Sequence, residues 1–298
     1  MTSSSPTSVS KTPAVSPEGF KAPNPHLHTQ VLPGFASSLT LTISWLSLIV
    51  LIPLAALVAR PWEHGLSGFL AVLGDDRVLA SLRLTFSIAA EAAVLNLFVG
   101  LMIAWVLTRY RFPGIKILDA FVDLPFALPT AVAGVALCSL YSPNGWIGAL
   151  LTPLGIKVAY TPAGIFVALV FVGLPFVVRS VQPVLAEFDA EVEEAARTLG
   201  ATPWQTAARV ILPGLAPALL TGFSLALARA VGEYGSVIFI AGNMPYVSEI
   251  TPLLIVIKLQ EFDYAGAASV ALIMLLMSFA ILVVMNALQV WLNRRGRA

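Results

Sequence analysis

Residues 39–59 contain no charged side chain at all. An uninterrupted apolar stretch of about 20 residues is what an α-helix needs to cross a bilayer. It is too long for the apolar core of a cleaved leader. Backbone in hydrocarbon must satisfy its hydrogen bonds internally, which leaves helices or closed barrels. Five further stretches follow, at residues 84–108, 121–141, 162–178, 215–240 and 265–292, the last again without a charge. Pro125 and Pro129 open the third, Thr161-Pro162 leads into the fourth, and Pro183 interrupts the chain after it. Of 298 residues, 58% are hydrophobic and 11% charged, against about 25% charged in a soluble domain. The expectation is an all-α polytopic membrane protein with six transmembrane helices.

The ends differ from the middle. Residues 1–37 are rich in Ser, Thr and Pro and hold little to bury, so a disordered tail is expected there. Residues 38–296 are expected to form the transmembrane domain. Lys and Arg fall unevenly over alternate loops: eleven lie in the tail, the 109–116 loop, the 179–209 region and the C-terminus, and five lie at Arg60, Arg77, Arg83, Lys157 and Lys258. By the positive-inside rule both termini and the 187–213 loop face the cytoplasm. A short apolar run, residues 253–257, is expected as a helix lying at the outer interface or dipping into the protein. The net charge of +1 and the single cysteine, Cys138, point to neither nucleic acid nor a disulfide or metal framework.

Residues 187–213 form a charged island in this apolar chain. Phe188, Val192, Ala195, Ala196 and Leu199 lie on one helical face. Asp189, Glu191, Glu193 and Glu194 sit where negative charge suits a helix N-terminus. Gly200 is placed as a left-handed cap. Thr202, Pro203 and Gln205 then spell the start of a second helix, with Trp204, Ala207, Ala208 and Ile211 as its apolar stripe and Pro213 as its stop. Taken alone, the pattern reads as a surface helical hairpin with a solvated acidic face. It is a poor match to a DNA reader, because the first helix is acidic.

The same segment resembles the EAA motif of ABC-importer permeases. Glu194-Ala195-Ala196, three residues, Gly200, nine residues, then Val210-Ile211-Leu212-Pro213 departs from that motif only in Val210, where the family has Ile. The resemblance implies that Glu194, Ala195, Ala196, Gly200, Val210, Leu212 and Pro213 belong to coupling helices that dock on a separate cytoplasmic ATPase.

Ionisable residues inside a span are costly and need a reason. Arg229 and Glu233 are four residues apart in the fifth stretch, so they share a helical face and can pair. Gly232, Gly235 and Ser236 leave room for close packing. Two readings stand: a polar seam on a translocation path, or a self-satisfied ion pair. Glu91 and Asn96 in the second stretch are expected to meet polar partners on other spans. The run Ala228-Arg-Ala-Val-Gly-Glu-Tyr-Gly-Ser-Val-Ile-Phe-Ile-Ala-Gly-Asn-Met-Pro245 resembles the signature of sulfate/thiosulfate permeases, the T-type subunit above all. Trp105-Val-Leu-Thr-Arg-Tyr-Arg-Phe-Pro-Gly114, Asp123-Leu-Pro-Phe-Ala-Leu-Pro-Thr130 and Tyr141-Ser-Pro-Asn-Gly145 are similar to it too.

That resemblance implies a path lined by Arg229, Glu233, Tyr234, Gly235, Ser236 and Asn243 in a bacterial cytoplasmic membrane. It implies as partners a second homologous permease subunit, two copies of a cytoplasmic ATP-binding subunit, an extracytoplasmic sulfate-binding protein, sulfate or thiosulfate, and membrane lipid, with no nucleic acid. No Gly-four-Gly-Lys-Ser/Thr pattern, nucleophile–base set or metal-ligand spacing occurs in the chain. It is therefore expected to be no enzyme and to carry no cofactor. Molybdate or tungstate import remains an alternative. So does a proton-coupled anion transporter using Glu91, Arg229 and Glu233.

Overall fold

The computed structural model describes residues 35–295. The expectation for residues 1–37 lies almost wholly outside them. By contacts the chain divides into two compact units, Met1–Pro53 and Leu54–Ala298. Helix α1 (Phe35–Glu63) straddles that border. The second unit holds all the later helices.

In chain order come α2 (Gly65–Leu73), α3 (Asp76–Arg109), α4 (Ile115–Val122), α5 (Leu124–Ala127), α6 (Thr130–Tyr141) and α7 (Trp146–Leu151). Then follow α8 (Pro162–Ala186), α9 (Ala190–Thr198), α10 (Pro203–Val231), α11 (Val237–Ile240), α12 (Thr251–Gln260) and α13 (Tyr264–Arg295). Among the described residues five helices are long and apolar enough to cross a membrane: α1, α3, α8, α10 and α13.

The expected third span is helical but broken. Leu128 adopts an extended backbone, ψ 134°, because the ring of Pro129 disfavours the helical region before it. What remains, α6, has 12 residues, about 18 Å at 1.5 Å per residue, and cannot cross alone. The fourth span goes the other way. It runs through Pro175 and Pro183 to Ala186, past the expected end at Val178.

The core is the packing of α3, α8 and α10. Val177 of α8 is fully buried between them. A Cβ on Gly100 of α3 would lie 2.7 Å from its Cγ1, and one on Gly222 of α10 would lie 2.9 Å from its Cα. Neither position admits a larger residue without moving α8. Ala89, Ala92, Ala104, Ala168 and Ala226 line the same seams and are buried. Small residues let helices approach closely where lipid offers no hydrophobic driving force between them.

The short helix expected at residues 253–257 is α12. Its first amide, Thr251 N, donates to Thr85 Oγ1 on α3 at 2.8 Å. About two turns earlier on α3, Arg77 grips Glu249 with two hydrogen bonds of 2.8 and 2.7 Å. An orphan helix-start N–H and a buried carboxylate are thus both satisfied by α3.

Candidate functional site

The charged island folds as a knuckle of two helices, with local contacts dictating each end. The Asp189 carboxylate accepts the Glu191 amide at 2.9 Å and caps α9. Gly200 has φ +83°, a left-handed backbone that suits glycine. The amides of Gly200 and Ala201 donate back to the carbonyls of Arg197 and Ala196 at 2.9 and 3.0 Å, closing a Schellman motif. Thr202 and Gln205 form the expected capping box, each side chain accepting the other's amide, at 3.3 and 2.9 Å.

One expectation about the knuckle is corrected. Pro213 does not stop the second helix. In a regular helix its ring would meet the carbonyl of Arg209. Residues Ala207–Ile211 instead form a wide π-turn, in which Leu212 N donates to Ala207 O, and α10 continues to Val231. The same device precedes Pro53 in the first unit, where Ser47–Leu51 is a π-turn. Much of the apolar stripes is left uncovered by this chain. Leu199 is 87% exposed, Trp204 80% and Val192 45%. Among the described residues there, only Thr206 and Ile211 are buried.

The motif residues cluster on this surface. Ala196, Gly200 and Val210 line a shallow hollow with Leu199, Gln205 and Arg209. Glu194 and Ala195 are exposed beside it; Leu212 is half-buried and Pro213 exposed where α10 departs. A contiguous apolar surface rimmed by charge marks a docking face.

Glu193 is different. It points inward and forms an ion pair with Arg109, the last residue of α3. Sequence reasoning missed this pair, since 84 residues separate its members. It missed a second one as well. Arg179 of α8 reaches the Asp123 carboxylate with two bonds of 2.8 and 2.6 Å, and the carboxylate and backbone carbonyl of Asp119 with bonds of 2.7 and 3.1 Å, tying the broken third stretch to α8.

The second cluster lies where α10 breaks. Arg229 and Glu233 pair as expected, but not within one helix, because α10 ends at Val231. Glu233 is 2% exposed. Its Oε1 accepts the amide and the hydroxyl of Ser236, both at 2.9 Å, while Oε2 faces Arg229. The carboxylate thereby caps the restart of the helix as α11. Arg229 keeps 33% of its side chain exposed. Tyr234 and Gly235 are half-buried, and a Cβ on Gly235 would collide with Thr130 of α6.

Asn243 is not part of this cluster. It sits beyond α11 at φ 48° with its Oδ1 buried and unbonded. Among the described residues, Glu91 and Asn96 do not find the polar partners expected on other spans. Glu91 lies on an exposed side of α3. Asn96 is buried with neither amide atom bonded, and a Cβ on Gly173 of α8 would collide with it.

Long apolar helices packed through small residues, a charge-capped break in one of them and an uncovered knuckle define a multi-pass, all-α membrane protein. Its fold matches a membrane chain of a bacterial ABC transporter involved in import of the acidic polysaccharide alginate, with TM-score 0.72 and 15% identity over 85% of this chain and 94% of that one. An inward-facing MetNI methionine ABC transporter chain gives TM-score 0.56 and 19% identity over 72% and 95%. Residues 96–298 match the family described as binding-protein-dependent transport system inner membrane component. The chain belongs to that family. It is 49% identical to the sulfate transport system permease protein CysT of Escherichia coli K12 over 266 residues, covering 89% of this chain and 96% of the relative. It is 47% identical to the protein of the same name from Synechocystis, covering 85% and 88%.

Proposed function

We propose that this chain is the permease subunit of an ATP-driven importer that carries sulfate or thiosulfate across a bacterial cytoplasmic membrane. The observation that carries the reading is the knuckle. Seven motif positions, six of them matching, fold at fixed spacing into a capped pair of helices, and three of the seven line a hollow this chain leaves open. The sulfate assignment rests on the relatives, which are similar along nearly their whole length.

In this reading both termini and the knuckle face the cytoplasm. Two ATP-binding subunits lie below, one gripping this knuckle through Glu194, Ala195, Ala196, Gly200, Val210, Leu212 and Pro213. A second, similar permease chain completes the path, and an extracytoplasmic sulfate-binding protein delivers the anion. The chain contributes no catalysis of its own and holds no cofactor. ATP-driven closure moves the knuckle, and the helix bundle switches between two packings of similar energy. Arg229, with Tyr234, Gly235, Ser236 and Asn243 nearby in sequence, supplies positive potential to the path. Glu233 already engages that cation, so the anion meets attraction without a deep trap.

The test is reconstitution of all four kinds of subunit in vesicles, with labelled sulfate and molybdate offered in turn. ATP-dependent sulfate uptake is expected, with molybdate carried poorly. Uptake driven by a proton gradient without ATP would sink the reading; molybdate as the better substrate would move it to the related importer.

A further inference from the structure

The Trp105–Gly114 stretch has so far no part in the mechanism. Its Arg109 closes α3, and its guanidinium carbon lies 5.7 Å from the centre of the Trp105 ring. Nη2 of the same guanidinium binds Glu193 Oε1 on α9. Both side chains are withdrawn from solvent, to 27% and 13% exposure. Among the described residues this is the one ion pair that joins the knuckle to another helix. The indole attracts the guanidinium, and partial withdrawal from water strengthens the charge-assisted bond.

We propose that Arg109 and Glu193 form a strut that positions the knuckle against α3 and carries its movement into the core. The proposal rests on the ATPase-docking reading above. The two adjacent glutamates then divide the work. Glu194 faces outward to the docking partner, and Glu193 faces inward to α3. The knuckle has two mechanical outlets: one is covalent, since α10 runs on through the π-turn, and the other is this ion pair. Displacement of α9 reaches α3 through the strut, and α3 packs on both α8 and α10. Without it, α9 would move on its short link from α8 and leave α3 behind.

The experiment uses the complete complex in vesicles and measures sulfate moved per ATP hydrolysed. Arg109→Glu and Glu193→Arg should each lower that ratio about tenfold, as expected when one member of a desolvated pair is reversed. ATP hydrolysis should continue, and the ATPase should still co-purify. The double reversal should restore at least half of the ratio. Arg109→Lys, which keeps charge but loses the flat stacked fork, should fall between. If a reversal variant fails to accumulate, Glu193→Gln and Glu194→Gln give the same contrast with little change of shape. Only Glu194→Gln should weaken ATPase binding; only Glu193→Gln should lower the ratio at full ATPase occupancy. An unchanged ratio in the single variants, or a double variant no better than they are, overturns the strut and leaves the importer standing. ATP-independent uptake by the unaltered complex overturns both.

Discussion

The knuckle and the break in α10 are both charged islands in an apolar chain, and they resolve their charges in opposite ways. At the break every strong group is answered from within. Glu233 holds Ser236 twice and Arg229 once while being 2% exposed. At the knuckle the backbone is answered from within by caps, but the side chains are not covered. Leu199 and Trp204 stand 87% and 80% exposed. The difference follows from the medium. Hydrocarbon offers no water to an unpaired group, so a helix broken at membrane depth must close its own bonds. At the aqueous end of the bundle, apolar side chains can wait for another protein. Charge at the break is thus answered within this chain, whereas apolar surface at the knuckle is left open.

The comparison breaks most visibly at Glu233. Glu233→Ala leaves the buried Ser236 amide without its partner and a one-third-exposed Arg229 without its counter-charge, and we expect a loss of about 3 kcal/mol. Thermal unfolding of the detergent-purified protein checks it, with Arg229→Ala/Glu233→Ala recovering part of the loss. A melting curve like the parent's would show that the break is no structural clamp. Next in size is Trp204→Ala. An exposed aromatic anchor at a docking face contributes about 2 kcal/mol, roughly 30-fold in Kd for the ATPase subunit. The melting temperature should not change. A lower melting temperature with unaltered ATPase affinity would mean that Trp204 packs within this chain after all.

A smaller effect is expected at Gly200. Alanine at φ +83° costs about 1–2 kcal/mol, and it should loosen the turn that fixes the two knuckle helices. Sulfate uptake per assembled complex should fall while insertion is normal, read from uptake and membrane abundance together. The smallest is Thr202→Ala, which removes one half of the capping box for about 1 kcal/mol. Amide exchange at residues 204–206 should speed up about fivefold. No change there would show that the ends of the knuckle are held by something other than their caps.

Much of this was legible without coordinates, and for a local reason. The long apolar stretches announce helices that cross hydrocarbon. Asp189, Gly200 and the Thr202–Gln205 box act on backbone groups a few residues away, so reading them in order is enough. Prolines were the weakest guide. Pro213 reads as a stop and Pro183 as an interruption, yet both lie within continuous helices. At Pro213 an extra residue in the preceding turn absorbs the ring. Pro129 reads as an entry point, and there the chain does break.

What the sequence determined alone is the set of membrane-seeking helices, the capped knuckle and the proximity of Arg229 to Glu233. Each depends on composition or on groups within one or two turns. What only the tertiary structure decided is who answers whom across the bundle: Arg109 with Glu193, Arg179 with Asp119 and Asp123, and Thr85 with Thr251. These partners lie between 56 and 166 residues apart. Helical periodicity says which face a residue occupies, but not which other helix arrives there. That is set by where glycine and alanine let two backbones approach, a property of pairs of surfaces and not of either stretch of sequence.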